Sequence, residues 1–416
     1  MFQLLYADEK GRMFEHPEFL ASGRTGNFFT EIDETDVIPL PEGASLVMVP
    51  GGSPIGVDSK GSFAVHSGER GKPVYAVGAL LPQGFSRTLI PAYRRQEKVP
   101  LPLFGYAAVG WRNGGIYVAA VQTDETNKWN PAHYSTSELA SLVLEKAAHY
   151  KDNRIIDQLS KCALQYHCFT AQNIFYQRWE GGIPVSPVCN ARCLGCISQQ
   201  PAECCPSPQS RIDFTPTVKE ITEVAVPHLV SAEDGIVSFG QGCEGEPSLA
   251  APRVAEAILE IRRQTTGGTI NMNTNAGFTE GIKALCQAGI DSFRVSTISA
   301  RAATYQAYYA PRDYTWENVQ ASVKAARDQG IFVSLNLLTY PGLTDTIEEI
   351  EAMLDFIEKY DINMVQIRNL NIDPDYFADK IPLDGGEVLG ISRFIEILQT
   401  ERPGLIVGNY SKPVIK

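Results

Sequence analysis

The sequence predicts an α/β fold: a partial (β/α)6 barrel of the TIM type, preceded by an α+β N-terminal domain. Three observations carry this. From residue 183 onward, short apolar runs alternate six times with stretches of helical period, the pattern of a parallel sheet with right-handed crossovers. Before about residue 180 the pattern changes to hairpins followed by two helices. The chain has 416 residues, 44% of them hydrophobic, enough for two domains with a core each, placed at 1–180 and 181–416. Six units are too few for an eight-unit barrel. On pattern alone, an open doubly wound sheet fits the alternation almost as well.

In the first part, YAAVGWRNGGIYVAAV (106–121) reads as a hairpin with a glycine turn, and SLVMVPGGSPIGVD (45–58) as a strand–turn–strand. A helix opens at STSE, where Ser135 and Glu138 have capping-box spacing, and carries Leu139, Leu142 and Val143. A second carries Ile155, Ile156, Leu159 and Cys162. The segment TAQNIFYQRWEGG leads into the barrel.

The six strand-like runs are IPVSPV (183–188), GIVSFG (235–240), GTINMNT (268–274), DSFRVSTI (291–298), IFVSLNLLTY (331–340) and NMVQIRNL (363–370). Helical spacing appears at Val254, Ala257, Ile258, Ile261, and at Val319, Ser322, Val323, Ala326, the latter closed by Gly330. It recurs at Ile347, Ile350, Met353, Leu354, Ile357, and at Val388, Ile391, Ile395, Leu398. Thr217 and Glu220 predict a capping box, and Pro227 is expected to kink or end the helix that follows.

The net charge is −12, with pI near 5.1, which weighs against nucleic acid as partner because phosphate neutralisation needs a basic face. The start, MFQLLYADEKGRMFEHP, shows no signal peptide, and no apolar stretch is long enough to span a bilayer. A cytoplasmic location without membrane contact is expected. There, nine cysteines argue for thiols, metal ligands or catalysis over disulfides.

Three of them fall in CNARCLGC: Cys189, Cys193 and Cys196, directly after the first barrel strand. Loops there open on the C-terminal face, where parallel α/β folds place their chemistry. Three thiolates can hold three irons of a [4Fe–4S] cube and leave the fourth open. A zinc site competes but would want a fourth Cys or His. Three buried thiols without a metal are the plain alternative.

This octapeptide resembles the cluster motif of the radical S-adenosylmethionine (SAM) superfamily. The resemblance covers about residues 183–400 and implies the partial barrel as the fold. It implies a [4Fe–4S] cluster on Cys189, Cys193 and Cys196 whose open iron binds SAM. An electron from a low-potential donor such as ferredoxin or flavodoxin would cleave SAM to methionine and a 5′-deoxyadenosyl radical, which abstracts hydrogen from substrate. GCEGEPSL is similar to the family's Gly-Gly-Glu-Pro element, implying Gly245, Glu246 and Pro247 at the SAM amino group, with Glu244 where the family has glycine. NTNAGF resembles the family's Thr-Asn-Gly turn, giving Thr274 and Asn275. Ser296 matches the family's serine, Arg312 of YYAPR is offered to the SAM carboxylate, and backbone near Ile367 to the adenine. The N-terminal domain resembles no known family and is expected to close the open barrel or recruit the substrate.

Among the other cysteines, Cys286 and Cys162 lie on apolar helical faces and read as core. Cys204, Cys205 and Cys243 sit in loops expected on the C-terminal face. They are read as an auxiliary iron–sulfur site, perhaps with Cys168, as a redox thiol pair, or as unligated loop thiols. The six histidines share no metal spacing; His167 beside Cys168 reads as structural. Asp373 and Asp375 either serve the substrate, as ligand or base, or form an ordinary turn. PGGSPIG and RNGG read as turns. The substrate class is a peptide or protein, or a small metabolite. The competing functions are a non-catalytic iron–sulfur or zinc scaffold and an electron-transfer protein.

Overall fold

The computed structural model describes residues 1–68, 72–95, 99–125, 127–199, 207–383 and 386–414. Strands between Gln3 and Gln122 form a 13-stranded antiparallel sheet. The hairpin pairs Tyr106–Arg112 with Gly115–Gln122. Its corner residues Asn113 and Gly114 sit at φ 51° and 82°, as a two-residue primed turn requires. The run 45–58 forms two strands, but they do not pair with each other. Ser45–Met48 joins Val74–Leu80, and Gly52–Val57 joins Leu20 and Ala21.

Three helices follow, α1 (Leu139–His149), α2 (Arg154–Gln165) and α3 (Phe169–Tyr176). The Ser135–Glu138 box does not form. Ser135 lies at φ 53° and its N–H donates to Gln172 Oε1 at 2.7 Å, so α1 starts without a side-chain cap. Asn153 caps α2 instead, accepting from the N–H groups of Ile155 and Ile156.

The second sheet has seven parallel strands in sequence order: β1 (Glu180–Ile183), β2 (Ile236–Phe239), β3 (Thr269–Thr274), β4 (Ser292–Thr297), β5 (Phe332–Thr339), β6 (Met364–Asn369) and β7 (Ile406–Gly408). The connections carry α4 (Val218–Ser231), α5 (Ala251–Gln264), α6 (Thr279–Ala288), α7 (Ala302–Tyr309), α8 (Trp316–Asp328), α9 (Ile347–Lys359), α10 (Pro374–Lys380) and α11 (Ile391–Glu401). This is the expected partial barrel, extended by one short strand, IVG, that the six-fold alternation did not contain.

Two expectations shift. β1 begins and ends earlier than the run 183–188, because the chain beyond Ile183 leaves the ladder to bond with the loop after β2: Gly245 N–H donates to Ser186 O and Glu246 N–H to Val188 O. The Thr217–Glu220 box forms, but α4 continues through Pro227 to Ser231. Packing of α4 on α2 and α5 outweighs the one lost hydrogen bond.

The barrel helices and α1–α3 share one apolar core. The α2 face of Ile155, Ile156 and Leu159 meets the layer of Ile221, Val224 and Ala225 on α4. The antiparallel sheet grips the C-terminal end of the barrel. Arg95 pairs with Asp373 at 2.7 Å, Arg24 with Asp375 at 2.5 Å, and Arg87 Nη2 donates to Leu370 O at 2.6 Å. At the opposite end, the segment after β7 crosses the strand starts. Ser411 bonds Glu180 and Arg294, and Val414 N–H donates to Thr269 Oγ1 at 2.9 Å. Among the described residues, no helix is long and apolar enough to cross a membrane.

Candidate active site

The loop after β1 is positioned from three sides. Glu244, the residue where the family has glycine, is buried and accepts four backbone N–H groups at 2.7–2.9 Å: those of Val185, Ser186, Gly240 and Gln241. Burial pushes its carboxyl up to about 8, against these four donors. The carbonyls that close α7 hold the cysteine segment, Tyr309 O accepting from Arg192 N–H at 2.9 Å and Tyr308 O from Leu194 N–H at 3.0 Å. Asn275 Nδ2 donates to Asn190 Oδ1 at 2.7 Å. Gly195 fits because a Cβ there would lie 2.7 Å from the Tyr308 hydroxyl oxygen.

Cys189, Cys193 and Cys196 are free, half-buried, and line one cavity of about 340 Å³. Burial pushes the Cys193 thiol well up, and the Cys189 thiol up with a contribution from Glu246. A thiolate at these places therefore needs a nearby cation, which iron supplies; soft thiolate donors suit an iron–sulfur cluster. Arg211 is the nearest protein cation, its Nη2 lying 3.7 Å from Cys196 Sγ.

Gly245, Glu246, Pro247, Asn275 and Ser296 line the same cavity, as does Thr274. Glu246 has little left to offer a ligand through its side chain. Its carboxylate accepts from Thr274 Oγ1, from Ser248 N–H at 3.0 Å and from Asn275 N–H at 2.8 Å. It pins the β2 loop to the β3 loop. Gly245 is forced by close packing, since a Cβ would sit 2.0 Å from Val188 O.

Two expected contacts are not brought to the cavity. Arg312 is exposed and absent from the wall; only its backbone N–H reaches inward, to Asn190 O. The cations in the wall are Arg211 and Arg294. Ile367 is fully buried on the helix-facing side of β6, and its carbonyl accepts from Asn409 Nδ2 at 2.6 Å. Strand parity explains where the side chain lies, since Ile367 is registered on Leu337, whereas Asn336 and Leu338 face the cavity; the expectation concerned the backbone near Ile367, which parity does not address.

Cys243 does not open toward the cavity either. It is buried in the main core, hydrogen-bonded to Cys162 of α2, an interaction that raises Cys243 and lowers Cys162. Cys204 and Cys205 lie outside the described residues. Cys168 is half-buried at the start of α3, 3.2 Å from Thr170 Oγ1. Among the described residues, no three Cys, His, Asp or Glu side chains form a group that would hold a single metal ion.

Asp373 is a structural residue. It is buried, caps α10 through the N–H groups of Asp375 and Tyr376, and receives Arg95 and Leu101 N–H. Asp375 is tied to Arg24. His167 Nδ1 lies 3.1 Å from Ser135 Oγ. The residues that went unnoticed in the sequence are Arg211, Arg294 and Asn336, all on the cavity wall. A signal for the last two existed, in the polar residues placed at every second position of SFRVS and VSLNL.

Residues 183–357 match the model of the Radical SAM superfamily. That segment is similar to the radical SAM superfamily domain. No curated protein matches the chain significantly. Among solved structures, HydG, a maturase of the [FeFe]-hydrogenase, is 18% identical with a TM-score of 0.40, covering 66% of this chain and 63% of that one. The chain thus spans a little under two thirds of HydG. Methylornithine synthase (PylB) is 15% identical with a TM-score of 0.39, over 69% of this chain and 75% of that one. SuiB of Streptococcus suis is 15% identical with a TM-score of 0.37, over 76% of this chain and 71% of that one.

Proposed function

We propose that the protein is a radical SAM enzyme with one site-differentiated [4Fe–4S] cluster on Cys189, Cys193 and Cys196. The observation that carries this is their convergence: three thiols from one loop share a cavity with residues that follow β2, β3 and β4. A cube binds each thiolate to a different iron, so its ligands ring a volume instead of closing on a point. When bound, the cluster supplies the electron that splits SAM into methionine and a 5′-deoxyadenosyl radical. The chain's own residues fix the loop, keep water out and present the substrate. Backbone at Gly245, with Glu246 and Asn275 holding the loops, would receive the amino end of SAM. Ser296 would lie along it, and Arg211, which lines the cavity where Arg312 does not, would be the cation for its carboxylate.

Residues 1–180 would then handle substrate, which we take to be a peptide, a protein or a small metabolite. The support is the grip of Arg24, Arg87 and Arg95 on the C-terminal end of the barrel. Reductant would come from a ferredoxin or flavodoxin in a cytoplasmic setting. The decisive experiment is anaerobic reconstitution of the wild type and of the Cys189→Ala, Cys193→Ala, Cys196→Ala triple variant. Cluster absorption and SAM cleavage should both vanish in the variant. A SAM-responsive cluster that survives would overturn the assignment. Cluster formation without SAM cleavage in the wild type would favour a scaffold or an electron carrier.

A further inference from the structure

We infer that the barrel lumen is a recognition site for an α-amino-acid group, a carboxylate together with an N–H, and that Arg294, Asn336 and Gln366 read it. The inference rests on the radical SAM reading only for what happens to that group after it binds.

Strand register shows where the side chains project. Asn273 of β3 is registered on Arg294 of β4, and Ser296 of β4 on Asn336 of β5. All four line the cavity. Asn336 in turn is registered on Gln366 of β6, and Leu338 on Arg368, which share that face just behind the cavity wall. Registered neighbours in a parallel sheet share a face. Amides and guanidiniums therefore run side by side around the inside of the barrel. The outward positions on the same strands are apolar: Met272, Phe293, Val295, Leu335, Leu337, Val365. Barrel interiors are ordinarily filled by branched aliphatic side chains. Part of the polar row is spent within the chain, Arg294 on Glu180 and Asn273 on Gly240 O, and burying the rest has a cost that partners must offset.

The partners are incomplete within the chain. Gln366 Oε1 is buried with no donor, and Arg294 Nε with no acceptor. Arg294 Nη2 is committed to Glu180 at 2.8 Å and to Ser411. Arg368 reaches only neutral acceptors, Gln83 Oε1 at 3.3 Å and Asn409 Oδ1 at 3.2 Å. Among the described residues it has no carboxylate in ion-pair range. Asn336 has no hydrogen bond there either. Buried polar groups in native proteins are satisfied almost without exception, so these open valences define a missing ligand. Gln366 needs a donor. Arg294 and Arg368 need an acceptor, and an anionic one balances the second cation. Arg294 on β4 and Gln366 on β6 are separated by one strand, about 10 Å, a span that a single group of amino-acid size bridges. A carboxylate next to an ammonium or amide N–H has that size and polarity. It comes either on a free amino acid or on the last residue of a peptide.

The test is ligand-observed NMR on the reconstituted holoenzyme saturated with SAM. The probes are the mixed free amino acids and a tripeptide series with free or amidated C-termini. Saturable binding of at least one probe is expected. Binding of amino acids points to a metabolite, and binding of free-terminus but not amidated tripeptides to a peptide. The Gln366→Leu variant should weaken that probe tenfold or more and leave SAM affinity within twofold. Its melting temperature should hold or rise, because an unsatisfied buried amide has been replaced by an apolar group. Asn336→Leu provides a second reading at the cavity wall. The inference is overturned if no probe binds, or if Gln366→Leu binds the probe as the wild type does. It is overturned as well if Gln366→Leu costs SAM the same factor as the probe, for then the row serves SAM. A wild type that binds the probe but never cleaves SAM would sink the radical SAM reading and leave the lumen site standing.

Discussion

The two sheets of this protein use their faces in opposite ways. In the antiparallel sheet, the central hairpin is apolar on both sides. Ala107 and Val109 enter one small core while Ala108, on the strand between them, enters another. Its buried charges, Arg24 and Arg87, sit where it meets the barrel. The parallel sheet is apolar only on its helix-facing side and polar within. The first sheet is built for packing and docking. The second has given up packing on one face, and that face is where ligands go.

The comparison breaks most severely by truncation. Removing residues 1–170 strips α1 and α2 from the main core and exposes the α4 layer of Ile221, Val224 and Ala225. Removing only 1–122 leaves those helices in place. The shorter truncation should be the more soluble of the two and should retain slow SAM cleavage without substrate turnover, as sedimentation and methionine release will show. Equal solubility would mean that α1–α3 do not belong with the barrel.

Next in size is the docking pair. Arg95 and Asp373 are both buried, so Arg95→Met leaves a carboxylate without its cation. Breaking such a pair costs about 3–5 kcal/mol, toward the lower end here because three N–H groups still face Asp373. Denaturant unfolding should register the loss, while SAM affinity stays the same.

A pH effect is expected at His228 in the barrel. His228 on α4 is buried, its Nε2 2.8 Å from Trp179 O, and burial pushes its pKa down from 6.5 to about 4. The folded state keeps the ring neutral where the unfolded state binds a proton. The contribution of His228 is thus full above pH about 6.5 and falls as pH drops toward about 4, by about 3 kcal/mol. His228→Gln should flatten that slope in thermal melts taken across the range.

The smallest effect is expected at Glu246. Glu246→Ala frees two N–H groups and the Thr274 hydroxyl in a secluded loop, worth about 1.5–3 kcal/mol, and should weaken SAM by roughly tenfold. Calorimetric titration with SAM will measure it. Unchanged affinity would transfer the role to Glu244, which holds the neighbouring turn.

Much of the barrel was legible because its signals are local. The period of Val254, Ala257, Ile258 and Ile261 survives as the buried face of α5, and the Thr217–Glu220 box forms as spaced. The cysteine triplet and Gly245–Pro247 likewise reach the cavity from contiguous segments. What failed to read was non-local. Ser135 turns away from α1 because Gln172, 37 positions on, takes its N–H. Cys243 turns inward because Cys162 waits there on α2. Arg312 looked available as the only arginine of its segment, yet its side chain points to solvent while Arg211 and Arg294 arrive from other elements. The antiparallel sheet was legible only in its hairpin, since its remaining partners are chosen across long stretches of chain.

The tether at the bottom of the barrel has a kinetic meaning. Glu180 opens β1, Arg294 lies in β4, and Ser411 joins them from 231 positions beyond Glu180. Until those three meet, a carboxylate inside the barrel lacks part of its shell, so early compact forms carry an uncompensated charge. Strand pairing between neighbours proceeds locally, but this last stitch must wait for distant chain to find it, and such searches are slow. The contact that closes this network therefore belongs among the later steps of folding, after the neighbouring strands have paired.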